Sequence, residues 1–181
     1  MSVFTNTSPS LPGQAAQYVA AILDLLGSRD PIDVLRSTPH ALDRSLGAMS
    51  AEQTRQPEAP GRWSVRHVLQ HLADSELVWG YRTRMVLGQD RPSLIGYDQD
   101  LWVERLHYDQ IDPRESLDTF AALRRINLKL IERATPSDRS RAALHAERGE
   151  ESFGHMINLC AGHDLLHLRQ IDRIRAAVVP E

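Results

Sequence analysis

The stretch from Ser64 to Leu87 constrains the fold most, because its apolar residues recur at intervals of three and four. This spacing places them on one face of an α-helix, and Ser64 is suited to cap its start. Asp30-Pro31 and Asp112-Pro113 each put an N-cap residue before a proline at the first helical position, which predicts two more helices. A fourth long helix is predicted from about Ser152 to Ala177.

No part of the chain shows the sustained alternation of β-branched and polar residues that a sheet needs. The chain is therefore predicted to be all-α: a four-helix bundle with an additional N-terminal helix from Ala15 to Leu26. A long crossover, Gly88 to Asp112, joins the second and third long helices, and its aromatic residues either pack on the bundle or cover a site. Pro39 predicts a kink or a break in the first long helix. Residues 1–13 are expected to form a flexible tail, and residues 14–181 one domain.

Charge and cysteine content exclude several classes of protein. Among 181 residues, Lys and Arg number 21 and Asp and Glu 24, a net charge of −3, so nucleic acid is not the expected main partner. The single cysteine, Cys160, excludes an internal disulfide and any multi-cysteine metal site. No apolar stretch is long enough to span a bilayer, and we expect a cytoplasmic protein without a membrane partner. The apolar face of the N-terminal helix predicts either a homodimer or packing on its own bundle.

Histidine spacing indicates where chemistry is expected. His67 with His71, and His163 with His167, stand four residues apart, so each pair shares one helix face. Burying the unpaired imidazoles of His163 and His167 would be costly, and either a shared metal ion or hydrogen-bonded partners would offset that cost. A metal site in a bundle also needs a ligand from a facing helix. Spacing leaves His67 and His71 open for that role, and the mid-helix position mildly favours His71.

Two other metal chemistries are disfavoured. The run from His163 to His167 has the spacing of the zinc-protease motif HExxH, but Asp164 stands where that chemistry uses Glu. The shorter side chain would pull the carboxylate back from the ion. Cys160 could be a ligand, although a buried apolar cysteine is far commoner. Three imidazoles would leave a coordination position open for water or substrate, as catalytic sites do.

Two segments carry a family resemblance. The run from Gly61 to Glu76, followed by Gly162 to Ile171, resembles the DinB-like superfamily, and within it the YfiT type of metal-dependent hydrolases. Pro92 to Asp98 and His145 also resemble that type.

The resemblance implies a bundle with a long crossover that binds one divalent metal ion through three histidines. These map to His71, His163 and His167. The YfiT type tends to have histidine at the position of Gln170. Gln170 lies outside the three ligands and is expected to orient one of them through a hydrogen bond. Zinc or nickel is the expected ion, with iron or manganese as alternatives.

Three functions follow from these features. The first is a low-molecular-weight-thiol S-transferase of the bacillithiol or mycothiol type, acting on a small molecule, in which the ion activates the thiol. The second is a hydrolase in which the ion supplies hydroxide, with Asp74, Glu76, His145 and Asp164 as candidate acids or bases. The third is a non-enzymatic, stress-related metal-binding module.

Overall fold

The structure, a computed structural model, describes residues 12–179, which contain seven α-helices, two short 3₁₀ helices and three short strands. In chain order, the elements are α1 (Pro12–Leu26), α2 (Pro31–Gly47), α3 (Val65–Gly88), β1 (Ser93–Leu94), α4 (Gln99–Arg105), α5 (Pro113–Arg133), α6 (Pro136–Arg139), β2 (Ala142–His145), β3 (Gly149–Ser152) and α7 (Phe153–Val178). Helices α2, α3, α5 and α7 form the predicted four-helix bundle, and α1 packs along α7. The predicted tail falls largely outside the described residues, and Pro12 and Gly13 belong to α1.

The predicted capping residues begin the helices. The Asp30 carboxylate accepts hydrogen bonds from the backbone N–H groups of Ile32 and Asp33, at 2.7 and 3.1 Å. The Asp112 carboxylate accepts one from the N–H of Arg114 at 2.7 Å. Each acid satisfies N–H groups that have no partner inside the helix, which fixes where α2 and α5 start.

Pro39 does not break α2, so of the two outcomes considered from the sequence, a kink or a break, the break is wrong. The helix runs from Pro31 to Gly47 with Pro39 inside it. Proline has no N–H, so the carbonyl of Leu35 one turn earlier loses its usual partner. The Arg124 side chain supplies a replacement, because its Nη1 donates to the Leu35 oxygen at 2.9 Å. A side chain from α5 thus takes the place of the missing backbone hydrogen bond.

A small three-stranded sheet was not expected from the sequence. β1 pairs with β2 in parallel, and β2 pairs with β3 in antiparallel orientation. The strands have only two to four residues, too short for alternation to stand out. Ala143, His145 and Glu151 are the buried residues of the β2–β3 hairpin.

The crossover packs against the bundle along α3. Tyr108 is buried, and its hydroxyl donates to the Asp74 carboxylate at 2.5 Å. Closer to α4, the Tyr97 and Ser75 hydroxyls lie 2.9 Å apart. The crossover therefore contributes one aromatic side chain to the core and places another beside α3.

Helix α1 is held against its own chain. Ile22 and Leu26 are buried, and Gly162 of α7 faces the Ile22 carbonyl so closely that a Cβ there would collide with the backbone. Packing on the same bundle therefore covers the apolar face of α1. Among the described residues, no helix combines the length and hydrophobicity needed to cross a membrane.

Candidate metal centre

A buried polar layer crosses the bundle between two apolar clusters. One cluster contains Leu69 and Phe120, and the other contains Val86 and Ile131. Between them, α3, α5 and α7 contribute buried polar side chains: His71, Ser75, Glu76, Arg124, Asn127, His163, Asp164 and His167. Buried polar groups need partners, and this layer divides into a histidine cluster and an ion-pair network.

The histidine cluster joins α3 to α7. The Nε2 atom of His163 lies 3.1 Å from Nε2 of His71 and 3.1 Å from Nε2 of His167. All three rings are buried, and each can offer one nitrogen to a common point. His163 and His167 reach that point together because residues four apart on α7 lie one turn from each other.

The protonation of His167 is set by Gln170. The Gln170 Oε1 atom lies 2.8 Å from Nδ1 of His167 and accepts a hydrogen bond from the N–H at that position. In the neutral ring, this leaves a lone pair on Nε2, which faces the cluster. Gln170 therefore bonds His167 on the side of the ring that faces away from the cluster.

Burial keeps these imidazoles neutral. Loss of solvent lowers the pKa of His71 well below its usual value, and nearby His167 adds to the effect. The pKa of His163 falls for the same reason, reinforced by His167 and His71. Burial also lowers the pKa of His167, to about 4. Neutral imidazole is the form that binds metal ions.

The residues fit a divalent ion. One proton on Nε2 of His163 cannot make good hydrogen bonds to both neighbouring Nε2 atoms, whereas one cation satisfies three lone pairs. Two nitrogens bound to one ion at about 2.0–2.1 Å have a separation close to that observed between these Nε2 atoms. Within the described residues, no carboxylate or thiol belongs to the cluster, so the donor set is three imidazoles.

Aromatic rings and hydroxyls surround the cluster. The buried Trp63 ring stacks on His167, with centroids 6.5 Å apart, and lies 5.0 Å from the His71 ring. The Ser75 hydroxyl is 3.4 Å from Nε2 of His71, and it also contacts Tyr97 of the crossover. Trp63 thus shields one part of the cluster, while Ser75 and Tyr97 bring neutral hydroxyls to another.

Two candidate acids belong to the ion-pair network. Arg124 donates to Glu76 at 2.7 Å and to both oxygens of Asp164, at 2.6 and 3.1 Å. Asn127 donates to the second oxygen of Glu76 at 2.8 Å. The polar contacts of both carboxylates are therefore with the arginine and asparagine of α5.

The other candidates lie outside the cluster. The Asp74 carboxylate accepts from Tyr108 and from Gln70. His145 is at the end of β2. His67 is at the start of α3, where its Nδ1 accepts from the Ser64 N–H at 3.2 Å. Cys160 is buried 4.0 Å from Nη2 of Arg124, and burial raises its pKa well above the usual value.

Several residues of the site were missed by sequence analysis. Arg124 carried no visible signal, because a lone arginine on an amphipathic helix reads as a surface residue. Ser75 could have been found, since it lies four residues after His71 on the same helix face. Tyr97 and Trp63 stand outside the periodic segments, so only the fold brings them to the histidines.

Fold and site together define a class of protein: a four-helix bundle in which two facing helices present a buried three-histidine cluster suited to a metal ion. The chain belongs to the DinB superfamily, whose sequence pattern matches residues 35–171.

Solved and curated relatives agree with this assignment. YfiT from Bacillus subtilis, described as a probable metal-dependent hydrolase with an unusual four-helix bundle topology, superposes with a TM-score of 0.76 at 26% identity, covering 81% of this chain and 84% of that one. A protein of Oceanobacillus iheyensis, provisionally named a metal-dependent hydrolase, is 31% identical over 141 residues, 77% of this chain and 81% of its own length. Another with the same provisional name, from Bacillus licheniformis, is 30% identical over 117 residues, 65% of this chain and 66% of its own. The chain is thus a member of the DinB superfamily whose buried three-histidine cluster could hold a metal ion.

Proposed function

We propose that this protein is an enzyme that holds one divalent ion through His71, His163 and His167 and transfers a low-molecular-weight thiol to an electrophilic small molecule. The observation that carries the proposal is the convergence of three neutral Nε2 atoms, without a carboxylate among them in the described chain. Zinc or nickel suits such a donor set, as do iron and manganese with lower preference.

The contacts of the acids favour thiol transfer. A bound divalent ion supplies Lewis acidity and stabilises the thiolate of a coordinating thiol. Such a reaction needs no carboxylate base beside the cluster. Glu76 and Asp164 are engaged by Arg124, and Asp74 is engaged by Tyr108 and Gln70.

The chain's own groups orient the substrate. Burial, above all, raises the pKa of Tyr97, so its phenol stays protonated and can donate a hydrogen bond to the electrophile. Ser75 positions that phenol, since their hydroxyls lie 2.9 Å apart. The Tyr97 ring packs on Trp102 of α4, with centroids 4.3 Å apart, which ties its orientation to the crossover. The buried Trp63 ring, next to His71 and His167, helps to exclude water from the cluster.

A hydrolase is the second candidate. It is favoured by the description of the relatives as metal-dependent hydrolases. Three protein ligands leave room for water as well as for a thiol. In that reaction Asp74, Glu76, His145 and Asp164 stay the candidate acids and bases.

Dependence on added thiol separates the two activities. Tag-free protein loaded with zinc or nickel is mixed with monochlorobimane and a panel of thiols including bacillithiol, mycothiol and cysteine, and in parallel with ester and amide substrates without thiol. We expect conjugation that requires both metal and thiol and that is lost in His163→Ala. Ester or amide turnover without any thiol would instead assign the hydrolase.

Gln170→Leu should weaken metal binding without removing a ligand. The substitution removes the acceptor that holds the His167 proton on Nδ1, and loss of such a supporting hydrogen bond costs about 10–100-fold in affinity. Competition with a chromophoric chelator measures the change.

Gln70→Leu is the matched control. It also removes a glutamine from a bundle helix, but its contacts are with Asp74 and Ser116. Equal metal affinity in wild type and Gln170→Leu would show that Gln170 does not support the ligand.

A further inference from the structure

A second group of charged side chains lies where the crossover meets the β2–β3 hairpin. Nη2 of Arg82 donates to the Ile95 carbonyl at 2.6 Å, and Leu94 next to it pairs with His145 in the sheet. Arg148, in the hairpin turn, binds the Glu151 carboxylate with two nitrogens. The site therefore contains a paired arginine, Arg148, and a second arginine, Arg82, beside one buried imidazole.

His145 presents a hydrogen-bond donor without an acceptor. Its Nδ1 accepts from the Glu147 N–H at 3.2 Å. Burial, helped by Arg148 and Arg82, lowers the pKa of His145 to about 4, so the ring is neutral near pH 7 and its proton resides on Nε2. This Nε2 is buried and has no hydrogen-bond partner within residues 12–179. A buried N–H of this kind calls for an oxygen from outside the chain.

Arg82 is a buried cation without a paired carboxylate. The side chain is 6% exposed, and its guanidinium lies over the Trp79 ring and bonds the Ile95 carbonyl. Among residues 12–179, Glu151 and Glu147 are near enough to stabilise its charge, but neither forms an ion pair with it. Arg148 differs, because Glu151 neutralises it. A buried guanidinium with no carboxylate in direct contact is incompletely compensated, so an anion that bonds it directly would be bound favourably here.

We propose that Arg82 and Nε2–H of His145 bind a carboxylate group of the substrate. This inference rests on the proposed function and adds the substrate class to it. Because the nearby Glu147 and Glu151 carboxylates offset much of the positive charge around Arg82, a singly charged carboxylate fits better than a phosphate monoester, which would bring about −1.5 to −2. The planar guanidinium also matches the two oxygens of a carboxylate.

The proposed subsite is connected to the histidine cluster. Arg82 lies on α3 beyond Ser75, about 16 Å along the helix axis from His71, and helical side chains lean back toward the N-terminus. Tyr97, which contacts Ser75, is two residues from Ile95, which contacts Arg82. A small molecule with a carboxylate at one end can therefore reach the cluster with its other end. Ile95, whose carbonyl bonds Arg82, is 77% exposed, so the subsite adjoins the protein surface.

Nitrogen chemical shifts of the histidine rings test the subsite directly. Protein with ¹⁵N-labelled histidine, once with zinc and once treated with chelator, is titrated with acetate, succinate or inorganic phosphate at constant ionic strength. His145→Gln assigns the signal. We expect a saturable shift of His145 Nε2 with the carboxylates and a weaker response to phosphate.

Matched arginine variants tie the shift to the subsite. Arg82→Gln should abolish it, and Arg82→Lys, which keeps the charge, should retain weaker binding if Arg82→Gln does not fold. Arg91→Gln is the control, because Arg91 forms an exposed ion pair with Glu150 of β3. It should bind carboxylate as wild type does.

Two outcomes would overturn the proposal. One is a wild-type response no larger than that to chloride, and the other is a response to phosphate equal to or stronger than that to the carboxylates. The zinc-dependent shifts of the His71, His163 and His167 rings report the metal centre separately. Their absence would refute the proposed function, while the His145 signal still decides the carboxylate subsite.

Discussion

His163→Ala protein should contain almost no metal, whereas wild-type protein reconstituted with zinc or nickel should contain about one ion per chain. His163 occupies the centre of the cluster, since its Nε2 is 3.1 Å from the Nε2 atoms of both other histidines. Its removal leaves two imidazoles without the nitrogen that lies between them. Elemental analysis of tag-free protein measures the content.

His67→Ala is the control that makes this result specific. His67 is on α3 like His71, but its ring bonds Ser64 at the helix start. The variant should keep its ion. Thermal unfolding gives a second readout, because an ion that binds only the folded state raises the Tm, and the rise grows with the ratio of free ion to Kd. Zinc should raise the Tm of wild type and of His67→Ala but not of His163→Ala. The reverse pattern would show that His67, and not His163, binds the ion.

The main helices could be predicted because their signals are local. Asp30 and Asp112, each followed by proline, act through bonds that span only two or three residues. Periodicity over the long helix α3 is equally a property of one segment. The short strands have no comparable signal, since they depend on the pairing of β1 with a hairpin about fifty residues later.

The metal centre could be predicted only in part. A spacing of four brings His163 and His167 together on any helix, so that pair is visible in the sequence. The choice between His67 and His71 depends on which face of α3 meets α7. The mid-helix position favoured His71 only mildly, and the resemblance to the superfamily selected it. Ser64 lies three residues before His67, a capping-box spacing, so a local role for His67 was available as a signal.

The break considered at Pro39 is absent from α2 for a reason that no local pattern contains. Proline removes a hydrogen bond from α2, and the expected consequence assumes that nothing replaces it. Arg124 is 85 positions further along the chain, and it reaches the Leu35 carbonyl only because α5 packs against α2. Tertiary structure therefore compensates for a local defect that the sequence displays.

Arg124→Met should produce the largest loss of stability, about 3–5 kcal/mol, because it leaves two buried carboxylates without their cation. Arg124, Glu76 and Asp164 are each no more than 2% exposed. Burial alone would lower the pKa of Arg124, but the carboxylates of Asp164 and Glu76 outweigh this and raise it well above its usual value. Urea unfolding of chelator-treated protein measures the loss without a contribution from metal.

Arg36→Met is the matched control for the loss of an arginine ion pair. Arg36 also bonds two acids, Asp33 and Glu132, but its side chain is 56% exposed. Pairs in solvent contribute about 0–1 kcal/mol. A loss in Arg124→Met no larger than that in Arg36→Met would contradict a stabilising role for the buried network.

The triple variant Arg124→Met, Glu76→Gln, Asp164→Asn separates charge from packing. It removes the uncompensated carboxylates together with the arginine, so it should recover part of the stability that Arg124→Met loses. Arg124 bonds α2, α3 and α7 from α5, and its partners Glu76 and Asp164 are neighbours of Ser75 and His163. The network thus fixes the spacing of the two helices that carry the histidines. A folded triple variant should therefore still bind zinc more weakly than wild type, and unchanged zinc affinity would show that the cluster is positioned without Arg124.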